Sequence, residues 1–240
     1  MSIQTRLVKY DDGHITYEGM LAWDDAISGS KPGVLVAHTI RGRTPFEEGK
    51  ARDLAELGYC AFALDVYGQS ALGGDDASNR ARMDALKADR QELQRRLLLS
   101  LRVLKEQAEV DSSHVAAMGF CFGGLCVLDI ARTGEDLDGV ISFHGLLDAP
   151  DNTSGGAIKA RVLVLHGWDD PLATPDRVVA LSDELTAMGA DWQLHAYGNT
   201  MHAFTNPAAN DKDRGTVFSD AANRRSWIAM RNFLDELFKG

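Results

Sequence analysis

From Gly33 onward, strand-like and helix-like segments alternate, and this alternation constrains the fold more than any other property of the chain. The strand candidates are Val34–His38, Ala61–Asp65, Val115–Met118, Gly139–Phe143, Val162–His166 and Gln193–Tyr197. The helix candidates are Phe46–Leu57, a long stretch within Ser78–Glu109, Leu125–Ala131, Pro175–Met188 and Ala221–Phe238. Such a pattern predicts an α/β fold with a mostly parallel central sheet and helices on both faces. The strands are apolar nearly throughout, as expected when both faces are covered. Ahead of them, Thr5–Tyr10 and Ile15–Trp23 flank Asp11, Asp12 and Gly13, a turn signal. They predict a hairpin over residues 1–23, added to the sheet edge.

No repeat, low-complexity tract or Pro/Gly/Ser linker divides the 240 residues, so a single domain over 1–240 is expected. Thr153-Ser154-Gly155-Gly156 reads as a surface loop, and the charges of the long helix (Arg80, Arg82, Asp84, Lys87, Asp89, Arg90) as a solvated face. Hydrophobic residues at 45% and charged residues at 25% are ordinary for a globular core. A net charge of −10 argues against a nucleic-acid or anionic-membrane partner. No apolar run is long enough to span a bilayer. Met1–Tyr10 lacks the apolar stretch of a secretory signal, so a cytoplasmic location is expected. Three cysteines without metal-like spacing suggest a reducing compartment. Cys60 and Cys126 lie in apolar segments and read as small core residues.

The chemistry concentrates in Gly119-Phe120-Cys121-Phe122-Gly123-Gly124. This string follows the strand Val115–Met118 and precedes the helix Leu125–Ala131, which is the setting of a nucleophile elbow. Glycines allow so tight a turn, and the nucleophile points out of the sheet edge with helix amides behind it. Here that nucleophile is Cys121 where serine is usual. A cysteine nucleophile needs a base, and the base needs an acid to orient it. In open α/β sheets such groups collect at the carboxyl ends of strands. After Cys121, Val162–His166 runs into Gly167-Trp168-Asp169-Asp170-Pro171, and Gln193–Tyr197 runs into Gly198-Asn199-Thr200-Met201-His202. The order nucleophile, acid, histidine is that of hydrolases with this elbow.

Seven histidines compete for the role of base. His14 lies in the hairpin turn, His114 at the wrong end of a strand and His195 inside one. His38, His144 and His166 close strands, but they come before or with the acid in the chain. His202 alone follows the last strand. No histidines stand at i, i+4 spacing and no Cys/His cluster occurs, so no metal site is expected.

These segments resemble the dienelactone hydrolase family of α/β-hydrolases, from about Val34 to Phe238. The resemblance includes Leu54-Ala55-Glu56-Leu57-Gly58-Tyr59 leading to Ala63-Leu64-Asp65-Val66-Tyr67-Gly68. It also includes His202-Ala203-Phe204 followed by the Arg225-Ser226-Trp227 helix. It implies an α/β-hydrolase fold without a large cap and activity on small esters or lactones. The resulting expectation is a cysteine-dependent hydrolase of small carboxylic esters, lactones or thioesters that needs no cofactor. It places the acid three residues after Gly167, which selects Asp170 over Asp169. The implied triad is Cys121, Asp170 and His202, with the backbone N–H groups of Phe122 and Ile40 holding the oxyanion.

Two positions depart from the family. Thr39 stands where a glutamate is usual near the cysteine, and Asn206 where an arginine holds a substrate carboxylate. Thr39, Arg41, Phe204 and Asn206 are the expected substrate-contacting residues. Arg43, Arg80 and Arg82 are further candidates for an anion clamp, with plain surface charge as the alternative. The rival expectation is a catalytically weak binding, regulatory or redox-sensing protein that kept the hydrolase fold.

Overall fold

The computed structural model describes residues 2–152 and 156–239. The loop expected at 153–156 lies outside them except for Gly156. Eight strands form one sheet: β1 (Ile3–Asp11), β2 (Thr16–Asp24), β3 (Lys31–Ala37), β4 (Cys60–Ala63), β5 (Val110–Phe120), β6 (Gly139–Phe143), β7 (Arg161–Gly167) and β8 (Trp192–Tyr197). Their order is β1-β2-β4-β3-β5-β6-β7-β8. The pairs β1–β2 and β2–β4 are antiparallel, whereas β3–β4, β6–β7 and β7–β8 are parallel. The segment Val115–Phe120 of β5 and all of β6 are buried without alternation. That is the signature of strands covered on both faces. By contact density the chain divides within β5, between Ala117 and Met118, into two compact units.

The first unit holds β1–β4 and three helices, α1 (Pro45–Glu56), α2 (Asp76–Ala88) and α3 (Arg90–Lys105). Its hairpin turn is set by Asp12, whose carboxylate accepts from the N–H groups of His14 (2.9 Å) and Ile15 (2.8 Å). Such an Asx turn lets the side chain do the work of a backbone turn. Helix α1 opens on a capping box: Phe46 N donates to Thr44 Oγ1 and Thr44 N to Glu47 Oε2. The sequence predicts one long helix within 78–109, but the structure has two. Asp89 breaks it, with φ −125° and ψ 82°, and its side chain accepts from Glu92 N at 3.1 Å. Aspartate competes with the helix for backbone donors, so it caps α3 instead of continuing α2.

The second unit holds the end of β5, β6–β8 and helices α4 (Phe122–Arg132), α5 (Pro175–Ala187) and α6 (Asp220–Lys239). Helix α4 packs on β6, and α6 on β6 and β7. Arg132, buried at the end of α4, bonds Glu184 of α5 at 2.7 Å and Asp129 at 3.1 Å. Beyond β8 come two short paired strands, β9 (Asn210–Asp211) and β10 (Thr216–Val217). Two-residue strands carry no readable hydrophobic pattern, and the sequence offers no sign of them. No described helix is long and apolar enough to cross a membrane.

Candidate active site

Cys121 directly follows β5 and caps α4 with φ 57° and ψ −115°. A side-chain-bearing residue in the left-handed region is strained by about 1–3 kcal/mol unless its surroundings fix it. Three backbone bonds do so here. Cys121 N donates to Phe143 O (3.0 Å), and Cys121 O accepts from Gly124 N (3.0 Å) and Leu146 N (3.3 Å). The glycines around it have no room for side chains. A Cβ on Gly119 would stand 2.1 Å from Gly123 O, and one on Gly124 would stand 2.5 Å from Gly145 Cα. Both clashes are with backbone, which cannot swing aside. Gly119→Ala is therefore expected to destabilise the protein by about 2 kcal/mol or more, read from the urea midpoint at unchanged m-value. A midpoint equal to wild type would mean that the turn relaxes more cheaply than its geometry implies.

Asp170 and His202 meet at the ends of β7 and β8. The loops carrying them are stitched by Trp168 N to Tyr197 O (2.9 Å) and Asp169 N to Thr200 O (3.0 Å). Asp170 is 1% exposed and His202 2%. One carboxylate oxygen of Asp170 accepts from Leu172 N (2.8 Å), and the other lies 2.7 Å from His202 Nδ1. Asp169 is exposed and takes part through its backbone. The His202 main chain is held as firmly as its ring. His202 N donates to Gly215 O (2.9 Å) and Val217 N to His202 O (3.0 Å), which places it in a ladder with β10.

Electrostatics point the same way. Burial opposes a charged His202 ring, but the Cys121 thiolate and the Asp170 carboxylate outweigh it and raise the pKa to about 10. Nδ1 is occupied by Asp170, and Nε2 is buried with no oxygen or nitrogen partner among the described residues. A charge on either group favours the opposite charge on the other, because coupled groups act reciprocally.

Two further histidines enter this site. The parallel register of β6 and β7 pairs Phe143 with Leu165, so His144 and His166 follow on adjacent strands. His144 meets the His202 ring edge-on, with centroids 5.1 Å apart. Burial pushes both His144 and His166 below the usual histidine range; the His202 charge adds to this for each, and Asp170 partly offsets it at His166. Their strand-end positions already allowed both to approach the site; which rings meet is decided by strand register. Among the described residues, no group of three His, Cys, Asp or Glu side chains could hold a metal ion.

The remaining expected residues lie as follows. Phe122 is the first residue of α4, so its amide has no intrahelical acceptor. In the first unit the loop 38–44 is closed by the buried Glu47, which accepts from Thr39 N (3.0 Å) and Thr44 N (2.9 Å). Arg41 N bonds Thr39 Oγ1 (3.4 Å), Gly42 N bonds Thr39 O (3.3 Å) and Tyr67 OH bonds Ile40 O (3.2 Å). The Ile40 amide is left without an acceptor among the described residues. His38 is engaged in the same unit, between Thr39 O (2.6 Å) and Val66 N (3.3 Å).

Phe204 is fully buried, its ring against His144 (5.0 Å) and Tyr197 (5.6 Å). That puts it in the packing behind His202, away from any open surface. Asn206 uses its side-chain oxygen to accept from Ala208 N (3.0 Å). Arg41 is exposed and faces Asp76 at 3.9 Å. Arg43, expected as a surface charge or an anion clamp, is neither. It is buried and bonded to Glu18 (2.8 Å) and to Glu48. Arg82 bonds Asn79 (3.0 Å), and Arg80 is exposed.

A cysteine elbow followed by an acid and a histidine at later strand ends, on a mostly parallel sheet, defines an α/β-hydrolase. The chain belongs to the dienelactone hydrolase family, whose family model matches residues 18–238. It is 38% identical to the solved protein m3DLH (TM-score 0.94, covering 99% of this chain and 100% of that one). It is 39% identical to a dienelactone hydrolase-like promiscuous phosphotriesterase from metagenomic libraries (TM-score 0.92, 99% of both chains). A putative carboxymethylenebutenolidase of Aquifex aeolicus (strain VF5) is 27% identical over 241 residues, covering 98% of this chain and 99% of that protein.

Proposed function

We propose that the protein hydrolyses small, neutral carboxylic esters and lactones through a Cys121-His202-Asp170 triad. The observation that carries this is the buried 2.7 Å contact of Asp170 with His202, whose ring is charged under the influence of Cys121. The Cys121 thiolate attacks the carbonyl carbon, and the carbonyl electrons move to oxygen. The amide of Phe122, the residue after the nucleophile, holds that oxyanion. Collapse expels the alkoxide, which takes the proton from His202, and leaves a thioester on Cys121.

Acylation removes the thiolate charge that raised His202 most. Having given its proton to the alkoxide, the ring is neutral and accepts one from the water that attacks the thioester; collapse then breaks the C–S bond, releases the acid and returns the thiolate to Cys121. Asp170 keeps Nδ1 protonated throughout, so Nε2 is the nitrogen that works.

The charges around the site argue for neutral substrates. Asn206 brings no cation, and Arg43 is spent on two glutamates. Trp168 (43% exposed) and Leu172 (50% exposed) give the acid loop an apolar surface. A buried carboxylate left without a cationic partner costs several kcal/mol. A neutral aryl acetate is therefore expected to exceed a carboxylated lactone of similar reactivity by about tenfold or more in kcat/KM. A clear advantage for the anionic lactone would refute this and point to Arg41 or Arg80 as a clamp. Likeness to the phosphotriesterase adds neutral aryl dialkyl phosphates to the same panel, attacked at phosphorus by Cys121.

A further inference from the structure

His144 lies outside the triad, yet several independent features converge on it. It immediately follows β6, at φ 37°, a left-handed conformation in a residue with a side chain. Its N–H donates to Leu165 O at 2.8 Å, fixing it to the end of β7. Next to it, Gly145 has no room for a side chain, because a Cβ there would stand 2.2 Å from Ser142 Oγ. The ring is buried, and its Nε2 lies 2.8 Å from Thr205 Oγ1. Thr205 is three residues beyond His202 in the same loop and is itself buried. The same ring contacts His202 edge-on (5.1 Å, 66°) and Phe204 edge-on (5.0 Å, 82°).

One buried side chain, on a backbone held at positive φ, thus touches the ring of the base and anchors the loop that carries it. We propose that His144, through its hydrogen bond to Thr205, is a positioning residue for His202. It holds the plane of the His202 ring, so that Nδ1 stays on Asp170 while Nε2 faces Cys121. This rests on the triad reading. The groups around His144 are Phe120 from β5, His166 from β7, and His202, Phe204 and Thr205 from the loop after β8. None of them is a carboxylate, so the ring does its work uncharged. A proton on it would face the His202 charge.

Thr205→Val keeps the side-chain shape and removes the hydroxyl, whereas Thr205→Ser keeps the hydroxyl. His144→Phe keeps a ring and removes the hydrogen bond. Thr205→Val and His144→Phe are each expected to lower kcat by about 10- to 100-fold, the cost of a slightly misplaced catalytic group, with little change in KM. The double variant should be no worse than the poorer single one, because both remove the same bond. Thr205→Ser should recover most of the activity.

Iodoacetamide labelling of Cys121 gives a readout independent of turnover. Its pH profile should move to higher pH in Thr205→Val and His144→Phe, since a misaligned imidazolium supports the thiolate less. A lower Tm with unchanged kcat and labelling profile would overturn the proposal, as would Thr205→Ser being as impaired as Thr205→Val. Full turnover by Cys121→Ala would sink the triad reading itself. An inactive Cys121→Ala beside fully active Thr205 and His144 variants would sink only the positioning role.

Discussion

Cys121→Ala is expected to remove ester turnover, with a loss in kcat of about 10⁶-fold, the scale seen when a triad nucleophile is deleted. The fold should survive, because alanine meets the same left-handed strain as cysteine and the three backbone bonds at this position do not involve the side chain. In the unaltered protein, brief iodoacetamide treatment should label Cys121 first. Cys60 is fully buried, and burial pushes its thiol up to about 12. Cys126 is buried in α4. Cys121 is partly exposed and shares its charge with the His202 imidazolium. Its labelling rate should therefore fall less on acidification below pH 8 than that of an ordinary thiol. An ordinary thiol with a pKa near 8.5 slows about tenfold per unit there. Mass spectrometry decides the matter: preferential labelling of Cys60 or Cys126 would refute the assignment. It would also leave the redox-sensing alternative without its reactive thiol.

Asp170→Asn is expected to lower kcat by about 10⁴-fold, because an amide favours the wrong histidine tautomer. It should also draw the Cys121 labelling profile toward that of an ordinary thiol, since the imidazolium loses a carboxylate partner. Asp169→Asn should leave both within severalfold of wild type, because Asp169 contributes a backbone bond and an exposed side chain. If Asp169→Asn were the more damaging change, the acid would be misassigned by one residue.

The three positions proposed as a triad could be singled out because each stands where a strand runs out, and strand ends follow from apolar runs such as Val162–His166. Choosing between Asp169 and Asp170 needed the family register. The physical reason is visible only in three dimensions: β7 ends at Gly167, Trp168 and Asp169 turn outward, and the next side chain falls back into the interior. His144 and His166 were recognised as strand-end residues, but their meeting with His202 depends on how β6 and β7 pair. A linear pattern carries no record of that pairing. Arg43 misled for a similar reason. Its partner Glu18 is 25 positions away on β2, so nothing local marks the arginine as buried. The break at Asp89 was locally encoded, by an aspartate three residues before Glu92. A run of alternating charges, read as one solvated helix face, concealed it.

The short ladder between His202 and β10 separates two demands that usually conflict. His202 is pinned at its own backbone, by Gly215 O and Val217 N, and Gly215 sits where a side chain would strike Pro171, one residue past the acid. Between those pins the chain makes an excursion through Pro207 and Ala208, both exposed. The loop is thus closed at its base, like a purse with a fastened neck. Within this excursion β9 pairs with the strand that pins His202, so the part that can vary without loosening those pins is the exposed tip at Pro207 and Ala208. Randomised libraries for new substrates are best aimed there.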